Sequence, residues 1–415
     1  MYRWGKSAGG EGWMHLFWEN IRPAALVAAL CIGWTVADAA EPLDAGKCDP
    51  EVASTTEELI DSCRQLAEQY PEETVIQEFL ASTLMNAGRT AEGLELWFKL
   101  AAAGDPFANY SLGQIYQKGT GVTKSYADAV RYFKLASDGG FGPGHTWLGR
   151  MYELGRGVDA DPAAARRLYE MALKADPDIP SDAHLFLGRM LLLSADEEEI
   201  GEGVRLLKII ADDGWGYAHE ALGDFFLAGS AKIPADPKQA AHHLRLAADD
   251  GINSAKVSLA KLLFAGKGVG KDDTEAHRLL EEAASSGGPQ TLYDVAIIYR
   301  NGKLTRPDGR KVIDYLERAA ADGFTPAMYP LAFDLEGGVF PGVEDPDESA
   351  RWMLEAIRNG DDYAMKEMEG NARNWSGQFR RSLQRRLRAE GHYSGEIDGS
   401  FGPGTLAALE SLAAN

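Results

Sequence analysis

The sequence predicts an all-α protein, a right-handed α-solenoid of helix-turn-helix repeats followed by a small helical C-terminal domain. Three observations carry this. A small residue recurs as Gly113, Gly149, Gly188, Gly223, Ala260, Ala296 and Ala332, at intervals of 36, 39, 35, 37, 36 and 36 residues. A second ladder runs in register with it, Gly104, Gly139, Gly214, Gly251, Gly287, Gly323 and Gly360, with Asp176 where one glycine is missing. Beyond residue 372 the charge inverts: residues 373–415 hold six Arg and four acidic residues, in a 415-residue chain whose formal charge is −21.

Composition sets the outer limits. Hydrophobic residues at 45% and charged residues at 25% match an ordinary folded chain and exclude wholesale disorder and a multi-span membrane protein. Sixty-three Asp and Glu against 42 Lys and Arg repel polyanions, so nucleic acid is excluded as a partner. Eight His and three Cys, thinly spread, give no metal cluster, and no cofactor is expected.

At the N-terminus, Arg3, Lys6 and Arg22 precede an apolar run at residues 24–36 that ends in Ala37-Asp-Ala39. This order predicts a signal peptide over residues 1–39, cleaved near Ala39, with translation starting at Met1 or Met14. The run is shorter than the roughly 20 residues a spanning helix needs, so a periplasmic chain with no integral span is expected; an uncleaved anchor is the rival. Cys31 follows Leu30, where a lipidation signal wants a small residue. The segment 40–71 holds Cys48 and Cys63, an even pair that an oxidising compartment would join. Two free buried thiols are the alternative.

Residues 72–370 form the predicted array. Residues 109–122, Asn-Tyr-Ser-Leu-Gly-Gln-Ile-Tyr-Gln-Lys-Gly-Thr-Gly-Val, superimpose on 145–158, His-Thr-Trp-Leu-Gly-Arg-Met-Tyr-Glu-Leu-Gly-Arg-Gly-Val. Each unit reads as two helices. The first carries Leu112, Gly113 and Tyr116 at helical spacing and ends at a glycine such as Gly119, Gly155 or Gly266. The second carries Ala129, Tyr132, Phe133 and Ala136, an apolar stripe at i, i+3, i+4 and i+7. Trp97, Tyr132, Tyr169 and Trp352 are read as repeat core. The unit after Ala183 is degenerate, with Ser194-Ala-Asp-Glu-Glu-Glu199 replacing its turn, and Ala231-Lys-Ile-Pro234 is an insertion in the next; both are expected to project as loops.

This pattern resembles the Sel-one-like repeats, relatives of tetratricopeptide repeats. The resemblance implies an adaptor that holds another protein in a groove, with no catalysis. The tail, 373–415, is read as helix, loop, helix, and Leu383, Gln384, Leu387, Gly391, Tyr393, Gly395, Asp398, Gly399, Phe401, Gly402 and Thr405 keep the order of the peptidoglycan-binding domain family, which it resembles. The departures are His392 in place of an aromatic and a shortened last helix. The resemblance implies that Gln384, Arg385, Tyr393, Asp398, Phe401 and Thr405 meet a glycan-peptide ligand; a degenerate copy acting as a cap or protein contact is the alternative.

Other chemistry is weak. Gly266-Lys-Gly-Val-Gly-Lys271 lacks the Ser or Thr and the strand of a phosphate loop. His145, His184 and His219 occupy matching positions in successive units and are read as surface or groove histidines, because packed helices stand roughly 8–10 Å apart. No Gly-x-Ser-x-Gly elbow and no activated Cys is present, so no catalytic residue is assigned. The reading is a non-enzymatic scaffold that binds an envelope protein in its groove and tethers it to peptidoglycan, an arrangement that resembles bacterial polar-localisation factors. A periplasmic regulator of a partner enzyme or sensor is the alternative, and a wall hydrolase is disfavoured.

Overall fold

Aspartate begins many of the helices and glycine ends several of them. Asp105, Asp196, Asp236, Asp272, Asp308, Asp345 and Asp361 are N-caps whose carboxylates accept from backbone N–H groups one turn in, each contributing about 1 kcal/mol. Seven of the chain's 63 acidic residues thus have a structural task beside positive helix ends. Residues 197–199, expected in a loop, are instead the first turn of a helix capped by Asp196. A carboxylate run beside unpaired N–H groups favours helix over loop.

A computed structural model describes Cys48, Pro50 and residues 53–175, 179–302 and 308–414. The expected signal peptide, Cys31 and Asp176 lie outside these. Among the described residues there are helices and no strands: α1 (Thr56–Gln69), α2 (Thr74–Asn86), α3 (Thr90–Ala102), α4 (Pro106–Lys118), α5 (Tyr126–Asp138), α6 (Gly142–Leu154), α7 (Pro162–Ala175), α8 (Asp182–Leu192), α9 (Glu197–Asp212), α10 (Gly216–Ala228), α11 (Pro237–Asp249), α12 (Asn253–Ala265), α13 (Asp273–Ser286), α14 (Pro289–Asn301), α15 (Gly309–Ala321), α16 (Thr325–Leu335), α17 (Pro346–Arg358), α18 (Asp362–Asn371), α19 (Gly377–Ala389) and α20 (Pro403–Ala413). They fall into two compact units, one ending at Ala218 and the other beginning at His219.

In the first unit, helix pairs α2–α3, α4–α5, α6–α7 and α8–α9 each pack on the next, as units that cannot bury both faces alone must. The small-residue ladder marks the joint within each pair. A Cβ added at Gly113 would lie 2.5 Å from the Phe133 ring, and one at Gly149 would lie 2.8 Å from that of Tyr169. The paired turn glycines divide the labour. Gly119 caps α4 in the left-handed region at φ 83°. Gly121, two residues on, lets the turn touch the preceding unit, where a Cβ would lie 2.2 Å from Thr90. The same pair in the second unit is Gly266 and Gly268.

Trp97, Tyr132, Tyr169 and Trp352 are buried, as expected of core. Cys48 and Cys63 are joined by a disulfide, with Leu59, Ile60, Leu66, Ile76 and Leu80 around it. In the second unit α12–α13, α14–α15 and α16–α17 repeat the pairing, and α17 packs against both α19 and α20. The basic tail therefore shares one compact unit with the last repeats.

Candidate functional site

The C-terminal segment is built around one amide. Ser376 caps α19, and Phe379, Leu383 and Leu387 line its buried face with Ala408, Leu409 and Leu412 of α20. Gln384 lies on this inner face and is 0% exposed. Its Oε1 accepts from Gly399 N at 2.8 Å, while its Nε2 donates to Ser400 O at 2.9 Å and to Thr405 Oγ1 at 3.2 Å. One side chain thus ties the loop to both helices. Gly399 holds φ 79° at the turn, and Asp398 Oδ1 accepts from Ser400 N at 2.7 Å. Bonds from the backbone and side chain of Ser400 hold the Asp398 carboxyl below the usual carboxylate range.

This geometry reassigns two of the six residues expected to meet a ligand. Gln384 and Thr405, at 0% and 1% exposed, have no surface left for one; their polar atoms are consumed by the loop. Asp398 serves the turn but remains exposed, and Tyr393 and Phe401 are half-buried at the surface. The Tyr393 hydroxyl donates to Glu396 O at 2.8 Å, and Arg388 donates to Gly395 O beside it. His392, the departure from the family pattern, meets Ser411 Oγ at 3.0 Å and so links loop to α20.

Arg385 has a different neighbour from the one expected. Its guanidinium pairs with Asp347 of α17 at 2.9 Å, and Arg386 reaches Asp347 O at 3.1 Å and the Glu348 carboxylate at 3.6 Å. The Ser382 hydroxyl and these guanidiniums hold the Asp347 carboxyl low. Arg358 of α17 pairs with Glu390 at 2.5 Å. Buried Trp375 completes the seat, its ring centroid 4.5 Å from Phe379 on one side and 6.1 Å from Phe333 of α16 on the other. Its Nε1 donates to Glu367 at 3.3 Å. Two of the five arginines of the cationic helix are therefore paired with the last repeat.

The repeats hold their own polar joints. Arg300 grips Asp334 with two bonds of 2.7 and 2.9 Å, joining α14 to α16 around a fully buried carboxylate. An open pocket of about 900 Å³ is lined by His277, Glu281, Tyr299, Lys311 and Phe340 among others. Within it Glu281 accepts from Lys311 at 2.8 Å, Tyr299 at 2.9 Å and Tyr315 at 3.0 Å. Burial pushes this carboxyl up, but those three donors outweigh it and the net displacement is downward.

The three register-matched histidines are buried, contrary to the surface reading. His145 meets Ser137 Oγ at 2.7 Å, and His184 sits against Ser181 in a reciprocal cap. His219 Nδ1 lies 3.1 Å from His243 Nδ1, with Phe226 stacked on His243. That contact crosses from α10 to α11, between residues 24 apart in sequence, and no local spacing reveals it. Among the described residues no three His, Cys, Asp or Glu side chains are arranged to hold a metal, and no helix is long and apolar enough to cross a membrane.

The Sel1 repeat model matches residues 106–141, 143–177, 216–252, 254–288, 289–324 and 325–361, just over half the chain. The chain belongs to the Sel1 repeat family. Residues 376–412 match a model described as "Putative peptidoglycan binding domain", the segment organised by Gln384. An uncharacterized protein of Neisseria meningitidis, NMB1327, is 26% identical over 203 residues, covering 41% of each chain. Mouse protein sel-1 homolog 2 is 36% identical over 86 residues, 20% of this chain and 12% of its own. The chain thus spans less than half the length of either relative. The crystal structure of a Sel1 repeat protein from Oxalobacter formigenes aligns with TM-score 0.50 and 22% identity over 59% of this chain and 96% of that one, a likeness of fold. Repeats of this family indicate a protein–protein interaction scaffold, typically non-enzymatic.

Proposed function

We propose that this protein is an exported, non-enzymatic scaffold that holds a protein partner on its repeats and tethers it to peptidoglycan through its C-terminal segment. The reading places the mature chain in the periplasm after cleavage near Ala39. The observation that carries it is the match of residues 376–412 to a peptidoglycan-binding model, in a segment whose exposed loop retains Tyr393, Asp398 and Phe401. Tyr393 offers a ring face to a sugar, and loop backbone groups offer donors and acceptors to peptide stems.

A second reading, in which the segment is only a cap, is favoured by one observation: α19 and α20 cover α17. Deleting the segment would uncover α17, so point variants separate the readings better than truncation. Mature protein is sedimented with purified sacculi, alongside Tyr393→Ala and the double variant Arg388→Ala with Tyr393→Ala. Retention by the native chain, lost in the variants while their melting curves are unchanged, supports the tether. If the native chain stays in solution, the cap reading replaces it.

A further inference from the structure

An aromatic stripe runs out of the matched segment onto the last repeats. Phe379 and Trp375 stand 4.5 Å apart, Trp375 and Tyr329 6.4 Å, Tyr329 and Phe333 6.3 Å, and Tyr329 and Tyr363 4.8 Å, edge to face. Its inner end, Trp375 and Phe379, is buried; its outer end, Tyr363 at the start of α18, is 62% exposed, more than any other aromatic side chain described. Tyr363 is held in place nonetheless. Asp361 caps its helix, accepting from Tyr363 N at 2.9 Å, and the Tyr329 ring meets it at an interplanar angle of 75°. Glu367, one turn along α18, accepts from Asn371 Nδ2 at 2.7 Å and from Trp375 Nε1 at 3.3 Å, so its carboxylate is fixed on that helix with the exposed Asn371 amide next to it. A fixed aromatic face beside hydrogen-bonding side chains is the arrangement that a pyranose ring recognises: its C–H face stacks on the ring, and its hydroxyl or acetamido groups meet the polar atoms.

Resting on the wall-tether reading, we propose that Tyr363 is a sugar-stacking platform that extends the wall-binding surface beyond residues 376–412 onto the final repeat, its ligand being the glycan strand. The stripe's continuity through Trp375 with the matched segment, and the packing of α18 against α20, put this platform on the same compact unit as that segment. A partner protein seated on Tyr363 would need no such continuity.

The test uses the full mature chain as native protein, Tyr363→Ala and Tyr363→Phe, with two probes: whole sacculi, and peptide-free glycan strands released from them by amidase. Because Tyr363 is exposed, both variants should melt with the native protein. Loss of one stacked ring weakens binding about three- to tenfold for Tyr363→Ala on both probes, while Tyr363→Phe, which keeps the ring, binds as the native chain does. Native protein that binds sacculi while Tyr363→Ala binds equally well overturns the platform and leaves the tether standing. So does an effect seen on sacculi but absent on peptide-free strands. Failure of every form, native included, to bind either probe removes the tether and the platform together.

Discussion

The repeat array and the C-terminal segment are both helical, yet they are stabilised in opposite ways. The array spreads its stability over many similar joints, each a small residue under a large one, such as Gly113 under Phe133 or Gly149 under Tyr169. The segment concentrates its stability in Gln384, whose amide satisfies Gly399, Ser400 and Thr405 together. A distributed design tolerates one poor joint; a centralised one fails when its hub fails.

The largest expected effect follows from that contrast. Gln384→Leu leaves the buried Gly399 N–H without its acceptor and strips a donor from Ser400 C=O and from the Thr405 hydroxyl, which keep only their bond to each other, at roughly 3 kcal/mol. Limited proteolysis should then cut within residues 392–402 while the repeats of the first unit stay intact, and equal resistance of native and variant loops would break the comparison. Next comes Gly268→Ala. The backbone there holds φ 76°, and the new Cβ would lie 2.0 Å from Pro237 O, a neighbour that cannot rotate away. Roughly 2–3 kcal/mol is expected from denaturant unfolding, confined to the second unit.

A smaller effect sharpens the array side. Glu78 lies near Asp105, and burial first, then the Asp105 charge, push its carboxyl up to about 7. A folded value above the unfolded 4.5 means that this stabilisation is complete below about pH 4.5 and is lost as pH rises through 7. Glu78→Gln should therefore melt roughly 1–2 °C above the native chain at pH 8 and lose that advantage at pH 5; a pH-independent difference would mean that the charge is not the cause. The smallest effect is expected from Arg385→Ala. Its pair with Asp347 is half exposed on both sides, so unfolding should change by under about 1 kcal/mol, and less in high salt.

The array was legible in the sequence because its period is its structure. Gly113 to Ala332 recur every unit since each marks the same helix–helix joint, and Gly119, Gly155 and Gly266 fall where a left-handed cap is required. The joining of Arg385 to Asp347 was not legible. The two lie 38 residues apart on exposed faces, and only the packing of α19 on α17 brings them together. The same holds for His219 and His243, and for Glu197, which opens a helix because Asp196 caps it. In the candidate site the motif order was correct, but residue type alone could not separate a polar group facing a ligand from one facing inward. Gln384 and Thr405 look like binding residues in a string of letters and are core in three dimensions.

The inward-facing Gln384 has an evolutionary consequence. Selection for a foldable loop is enough to preserve Gln384, Gly399 and Thr405, whatever the loop touches, whereas far less of the fold rests on the exposed Tyr363. Across descendants of this chain, the first set would survive a change of partner while a position such as Tyr363 is free to drift with it, so the most recognisable letters of the segment record its ancestry.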